Sequence, residues 1–362
     1  MKILFDNKIF INQINGGPSI YFINLINELK KLNRETKILS FLHASNMLNE
    51  SKLQNKGFKL PFNSQLLKYN FTKKYLHKLN NYFCNYKLNS FQPDIYHTTY
   101  YDNYKYSTYR KSQKIVTVFD LINEKFNKTF YHNKTYLNKK EILNFADKII
   151  CISESTKNDL LEYYNIEKKK ISVVYLGYPE KIDHFKKIFN SPYILFVGTR
   201  WKYKNFNKLL KAISISKFIK NNFKLVAFGG GKFNIYEKSL IKKYDLKNVV
   251  QIDGNNEKLY SCYKYASLFV YPTQYEGFGL PILESFLYGC PVACSHNSSL
   301  PEVAGEAAVY FDSNDEKDIS EKIETVLLSK NLKNNLNDKA IIQLKKFSWS
   351  KCAQQTLDIY KS

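Results

Sequence analysis

Tyr271-Pro-Thr-Gln-Tyr-Glu276-Gly-Phe-Gly-Leu-Pro-Ile-Leu-Glu284, followed by Ser285 to Gly289 and then Cys290-Pro291-Val292, is the stretch on which the fold turns. An apolar run ends at Tyr271, a loop carries Glu276-Gly277-Phe278-Gly279, and a helix begins near Leu280 with Pro281 in its first turn, where proline is tolerated. Strand, glycine loop and helix start in this order make an anion site. The glycines let the main chain approach a ligand closely, and the unpaired N–H groups of the helix start point at it.

Outward from this stretch, short apolar runs alternate with helical patterns, which points to α/β architecture with parallel sheets covered by helices. Lys2 to Phe5 reads as the first strand, Ile9 to Pro18 as a loop containing Gly16-Gly17, and Ser19 to Lys31 as an amphipathic helix. Further strands are expected at Thr36 to Leu42, Asp94 to His97, Lys114 to Phe119, Lys148 to Ile152 and Ile171 to Val174. The alternation restarts after Asp183, with strands at Tyr193 to Val197, Lys224 to Phe228, Val249 to Ile252, Leu268 to Tyr271 and Val292 to Cys294. Two Rossmann-like halves are therefore expected, residues 1–183 and 184–346, joined near Tyr178 to Pro192 where two prolines bracket a charged segment. From about Phe347 to the end, Trp349, Ala353, Leu357 and Tyr360 mark an amphipathic helix expected to cross back to the first half.

The bulk composition agrees. A chain of 362 residues exceeds what one core usually supports, and 44% hydrophobic residues suffice for packed interiors. No segment approaches the roughly 20 apolar residues that span a bilayer, and the N-terminus lacks a signal core, so a cytoplasmic location is expected. Cys84, Cys151, Cys262, Cys290, Cys294 and Cys352 form no metal-binding spacing and read as packed thiols, so neither disulfides nor a metal is expected. The formal charge of +23 attracts anions of any kind, and much of it reflects a lysine-rich composition. No zinc spacing, basic zipper or RNA-binding motif supports a nucleic-acid partner.

One segment breaks the rhythm. Lys52 to Lys87 holds no acidic residue and interleaves its lysines with Phe58, Phe62, Tyr69, Phe71, Tyr75, Tyr82 and Phe83. Such a stretch suits the surface of an anionic membrane, and equally a solvated helix in a lysine-rich chain.

Glu276 and Glu284 are separated by seven residues, which places one in the loop and one in the helix. A carboxylate accepts hydrogen bonds from vicinal hydroxyls, so Glu284 suits a ribose and Glu276 a sugar hydroxyl beside a phosphate; the plainer alternative is a capped and solvated helix end. The arrangement resembles the E-x7-E motif of glycosyltransferase family 4, whose members have the GT-B fold of two Rossmann-like domains facing a central cleft and transfer sugars with retention. Gly16-Gly17 is similar to the family's N-terminal glycine loop, Ile150-Cys-Ile-Ser-Glu-Ser-Thr-Lys157 to its late N-domain helix start, and Phe196-Val-Gly-Thr-Arg-Trp-Lys-Tyr-Lys-Asn205 to the opening of its donor domain.

The resemblance implies a donor site of Gly16, Gly17, Gly198, Arg200, Lys204, Glu276, Gly277, Phe278, Gly279, Leu280 and Glu284. Arg200, Lys204 and Glu276 would be its catalytic members, Arg200 and Lys204 being aimed at the leaving diphosphate, whose growing charge fixed cations stabilise. Gly229-Gly230-Gly231 matches a glycine turn beneath the donor, and reads otherwise as a flexible turn. On the acceptor side, His97, Phe119 and Asp120 end strands that open toward the cleft. Phe119 departs from the histidine many relatives carry and cannot move a proton, which leaves a catalytically silent sugar-binding subunit as the alternative, with a nucleotide-sugar epimerase behind it. The expected partners are a nucleotide sugar, GDP-mannose first with UDP- and dTDP-sugars next, and a saccharide or lipid-linked saccharide acceptor in cell-surface polysaccharide synthesis. No cofactor or metal is expected, and the protein is expected in the cytoplasm, on the inner face of the membrane if the lysine-rich segment docks there.

Overall fold

The structure, a computed structural model, describes residues 1–14, 16–53, 57–60, 75, 78–80, 82, 91–101, 111–126, 134–183, 185–200 and 202–362. Most of the Lys52 to Lys87 segment, and Cys84 with it, therefore lies outside the described residues. The chain forms two compact units, Met1–Gly177 with Trp349–Ser362, and Tyr178–Ser348.

In the first unit, β1 (Lys2–Phe5), β2 (Glu35–Ile38), β5 (Ile95–Thr98), β6 (Gln113–Val118), β7 (Lys148–Cys151) and β8 (Ile171–Val173) form a six-stranded sheet in the order β2-β1-β5-β6-β7-β8. All its pairings are parallel. A separate parallel pair joins β3 (Leu42–His43) to β4 (Phe58–Lys59). The central strands are buried along their length, as parallel strands covered on both faces must be.

The stretch expected as a loop from Ile9 to Pro18 contains a helix, Lys8–Asn12, whose residues Ile9, Phe10 and Ile11 are buried. Burying side chains of this kind stabilises by about 1.5–3 kcal/mol each, enough to order a turn that has no capping side chain. The edge strand β2 is shorter than expected because the chain leaves the sheet after Ile38. The last helix, Trp349–Lys361, buries Trp349, Cys352, Ala353, Thr356, Leu357 and Tyr360 and packs on the helix Gly17–Lys31. One amphipathic stripe at helical spacing thus carries the chain end back to the unit in which it began.

The second unit repeats the plan. β9 (Tyr193–Val197), β10 (Lys224–Phe228), β11 (Val249–Ile252), β12 (Leu268–Tyr271), β13 (Val292–Ser295) and β14 (Ala308–Phe311) form a parallel sheet in the order β11-β10-β9-β12-β13-β14. The edge strand β14 has no counterpart among the sequence expectations, since its residues Val309 and Tyr310 are half-exposed and its apolar run is short. The core gathers Ile194, Phe196, Leu225, Leu268 and Val270 of the strands with Phe206, Leu209, Leu210 and Ile213 of the helix Phe206–Ile215.

In both units the chain first adds strands to one side of its opening strand and then returns to pair on the other side. That reversal lies between β1 and β5 in one unit and between β9 and β12 in the other. Connections there leave in opposite directions, so ligand crevices form beyond the carboxyl ends of these strands.

Candidate active site

The reversal in the second unit is open. β9 stays paired with β10 through Val197, whereas its pairing with β12 stops at Leu195 and Phe269. Beyond that point the loop after β9 is tied to the loop after β12 by main-chain contacts: Gln274 N donates to Tyr203 O at 2.7 Å, and Thr273 Oγ1 to the same oxygen at 3.2 Å. These bonds carry two side chains to one place. Lys204 Nζ forms an ion pair and a short hydrogen bond with Glu276 Oε1, and donates to Tyr271 Oη at 3.2 Å. Both charged side chains are mostly buried, at 12% and 13% exposure, and Tyr271 lies beneath them with its hydroxyl held protonated by burial.

Glu276 is fixed through its backbone. Its N–H donates to Ser298 Oγ at 2.9 Å, and Ser299 Oγ lies within hydrogen-bond distance of the carbonyls of Glu276 and Phe278. Ser298, Ser299, Thr273 and Tyr203 were not among the expected site residues. A signal existed for the serines, because Asn297-Ser298-Ser299 directly precedes a proline-led helix, Leu300–Ala304, and such residues favour helix starts. Gly279 takes φ 112° before the helix Leu280–Leu287, and a Cβ there would sit 2.9 Å from the Leu300 side chain. The Phe278 ring packs edge-to-face on Phe347.

Glu284 stands in the second turn of that helix and accepts from Tyr263 Oη at 3.1 Å. Burial raises its carboxyl to about 7, against a smaller lowering by the Tyr263 hydrogen bond. Gly198, directly after β9, has φ 120° and open space where a side chain would be. The assembled groups, a lysine, two carboxylates, a glycine platform and a helix start, can hold an anion that also carries hydroxyls. Among the described residues no three His, Cys, Asp or Glu side chains cluster as metal ligands would.

Arg200, expected as a cation aimed at a diphosphate, is engaged within its own unit. Its side chain is 3% exposed: Nε donates to Glu237 Oε1 at 2.8 Å, Nη1 to Gly229 O at 2.7 Å, and Nη2 to Gly231 O at 2.7 Å. The guanidinium is engaged with the main chain of the Gly229-Gly230-Gly231 turn, which carbonyl oxygens at this spacing hold firmly.

Gly16, Gly17, His97, Phe119 and Asp120 belong to the first unit. Gly16 is the extended residue before the helix Gly17–Lys31. His97, expected on the acceptor side, is fully buried in the core. Its Nδ1 meets Tyr360 Oη at 2.6 Å and its Nε2 meets Thr117 Oγ1 at 2.8 Å, while Phe5 and Phe22 pack on the ring. Burial pushes the imidazole down to about 3, so it is neutral at physiological pH. Phe119 packs edge-to-face on Tyr21 and Phe22. Asp120 is half-buried and accepts from Ile122 N at 3.1 Å, and Lys139 Nζ donates to its carbonyl at 2.9 Å. Lys139 in turn is paired with the buried Glu124, which also accepts from Tyr164 Oη at 2.6 Å.

Residues 15–181 match the family described as Glycosyltransferase Family 4, and residues 179–343 match Glycosyl transferases group 1. The chain belongs to glycosyltransferase family 4. This glycosyltransferase is 28% identical over 296 residues to O-antigen chain mannosyltransferase B of Escherichia coli, a match covering 76% of each chain. Its fold is that of sucrose-phosphate synthase from Thermosynechococcus elongatus (TM-score 0.77, 17% identity, covering 100% of this chain and 98% of the other). It is also similar in fold to HepE of Anabaena, solved with UDP and glucose (TM-score 0.73, 14% identity, both chains covered in full). The glycosyltransferase thus has the GT-B architecture of two Rossmann-like halves.

Proposed function

We propose that this glycosyltransferase moves a hexose from a nucleotide-diphosphate sugar, GDP-mannose first among donors, to a glycan or lipid-linked saccharide of a cell-surface polysaccharide, with retention of configuration and without a metal. The observation that carries the proposal is the Lys204–Glu276 pair spanning the open reversal between β9 and β12. A donor entering there replaces one internal partner with two external ones: its pyrophosphate takes Lys204 and the helix-start amides, and its sugar hydroxyls take Glu276. Glu284 accepts the ribose diol.

As the glycosidic bond breaks, charge grows on the pyrophosphate. Lys204, already oriented by Glu276 and Tyr271, meets that charge without reorganising. The acceptor hydroxyl attacks the face that the diphosphate leaves, and a phosphate oxygen receives its proton, so no protein nucleophile is required. The burial of His97 and the packing of Phe119 are consistent with this division of labour, because neither side chain is available as a base. The similarity to an O-antigen mannosyltransferase supports mannose as the sugar. A lipid-linked acceptor would be met at an anionic leaflet, and the exposed Tyr75, Lys78, Leu79 and Tyr82 suit that surface.

The test is incubation of the protein with a panel of nucleotide sugars and acceptor glycans in the presence of a chelator, followed by nucleotide release and the anomeric configuration of the product. Release from GDP-mannose with an α-linked product supports the reading. Binding without release from every donor, across acceptors, marks a sugar-nucleotide-binding subunit instead.

A further inference from the structure

Arg200 makes more hydrogen bonds to main-chain carbonyls than any other side chain described in the second unit, and their arrangement has a directional consequence. The loop residues Gly229, Gly230 and Gly231 all take positive φ, at 86°, 75° and 73°. Three successive residues in this region are accessible to glycine and strongly disfavoured for anything else. The conformation brings the carbonyls of Gly229, Gly230, Gly231 and Lys232 to within 2.7, 3.4, 2.7 and 3.2 Å of the Arg200 nitrogens. The contact is close enough that a Cβ on Gly230 would lie 2.7 Å from Arg200 Nη1.

The guanidinium is itself braced. Phe233 and Phe206 lie under it, with its central carbon 4.9 and 5.7 Å from their ring centres. Glu237 accepts from Nε and, through its other oxygen, from Asn234 N at 2.8 Å, so the same carboxylate closes the capping box of the helix Ile235–Lys243. The planar fork of arginine suits this task, since a lysine offers a single point of contact.

In a trans peptide the C=O of one residue and the N–H of the next are antiparallel, and no peptide bond among the described residues is cis. Drawing the carbonyls of Gly229, Gly230 and Gly231 toward Arg200 therefore turns the N–H groups of Gly230, Gly231 and Lys232 the opposite way. None of these amides donates to another described residue, and all three residues are exposed. The turn sits on Gly198, whose carbonyl would lie 3.1 Å from a Cβ on Gly230, and so adjoins the platform after β9.

We infer that Arg200 is a positioning residue: it holds the Gly229–Gly231 turn from behind so that the amides of Gly230, Gly231 and Lys232 face an anionic ligand, and it does not itself contact phosphate. The inference rests on the donor-site reading above for the identity of the ligand, a nucleoside diphosphate, but not for the claim about the turn. Successive main-chain amides make such anion-binding concavities, with a fixed geometry that a flexible lysine cannot copy.

The experiment compares the wild type with Arg200→Lys, Glu237→Gln and the double variant, using the full chain. Hydrogen–deuterium exchange of the Gly229 amide, which donates to Ile252 O at 2.9 Å, is measured without nucleotide, and binding of GDP and UDP is measured on the same proteins. Faster exchange at Gly229, by roughly tenfold in each single variant with the helix Leu280–Leu287 unchanged, is expected. Nucleotide affinity should fall about tenfold in each, and the double variant should be no weaker than either, because the two residues act as a unit. Unchanged exchange at Gly229 in both single variants overturns the inference. So does wild-type nucleotide affinity in Glu237→Gln beside weak binding in Arg200→Lys, which is the signature of a side chain gripping phosphate directly. Failure of the wild type to bind either nucleotide sinks the donor-site reading, and the exchange data, which need no ligand, tell that failure apart from this one.

Discussion

The two units build the same topological reversal and finish it in opposite ways. Between β1 and β5 the pairing runs to Phe5 and His97, and the chain beyond is sewn together by Asp6. Its Oδ2 accepts from Tyr96 Oη and Thr98 Oγ1, both at 2.8 Å, and its Oδ1 from Thr99 N and Lys8 N, both at 3.1 Å, and from Thr99 Oγ1. The Lys8 ammonium, buried at 2% exposure, lies 3.8 Å away. This carboxylate has no accepting capacity left for a ligand. Between β9 and β12 the pairing stops early and one lysine–glutamate pair spans the gap. A saturated carboxylate makes a joint, whereas a pair whose members each have one or two partners makes a site, because a ligand can substitute for those partners at little cost.

The sharpest way to break this comparison is to remove one charge from each. Lys204→Ala should lower turnover by roughly 10²–10³-fold, the size of losing one preorganised electrostatic contact to a transition state. Stability should fall as well, by about 1–3 kcal/mol, because the mostly buried Glu276 loses its cation. Glu276→Ala should behave alike, and wild-type turnover in either variant would remove the site assignment. Asp6→Ala should differ: a loss of about 3 kcal/mol of stability in denaturant titration, because the Tyr96, Thr98 and Thr99 hydroxyls lose the buried carboxylate they share, while kcat at a permissive temperature stays near wild type. An Asp6 variant that is stable but inactive would show the first reversal to be a ligand site after all.

The pH dependence of nucleotide-sugar binding would sharpen the comparison further. Burial holds the Glu284 carboxyl near 7, so it is protonated below that pH and ionised above it. A ribose diol donates to the ionised form, so donor affinity should rise with pH, by about tenfold between pH 6 and 8, and Glu284→Gln should flatten the profile. Calorimetry at several pH values would read this directly. The smallest effect is expected at Tyr360→Phe, which removes the hydroxyl meeting His97: about 1 kcal/mol of stability is lost, and KM for the acceptor is unchanged. A raised acceptor KM with unaltered stability would return His97 to the acceptor site.

The Lys204 and Glu276 positions were legible because a strand end, a glycine loop and a helix start announce themselves locally, and the side chains they carry are short-range consequences of that order. The contacts of Arg200 were not legible, for the same reason. It follows a strand just as Lys204 does, and nothing nearby in the chain shows that Glu237, 37 residues on, and the glycine carbonyls claim it first. His97 ends a strand that opens toward solvent in a generic α/β sheet, yet Tyr360 arrives from 263 residues away and covers it. Position along a strand predicts which end faces a crevice, but not which crevice another element fills.

What the amino-acid order settled alone was the alternation of buried strands and amphipathic helices, the doubling of that pattern, and the loop bearing Glu276, since each is written in local spacings or in their repetition along the chain. Tertiary structure alone decided which reversal closes and which stays open, that one arginine braces a turn, and that the last helix seals a histidine into the first unit. Those outcomes depend on hydrogen bonds between residues tens to hundreds of positions apart. Their partners compete for the same donors and acceptors, and only the folded chain shows which of them arrives.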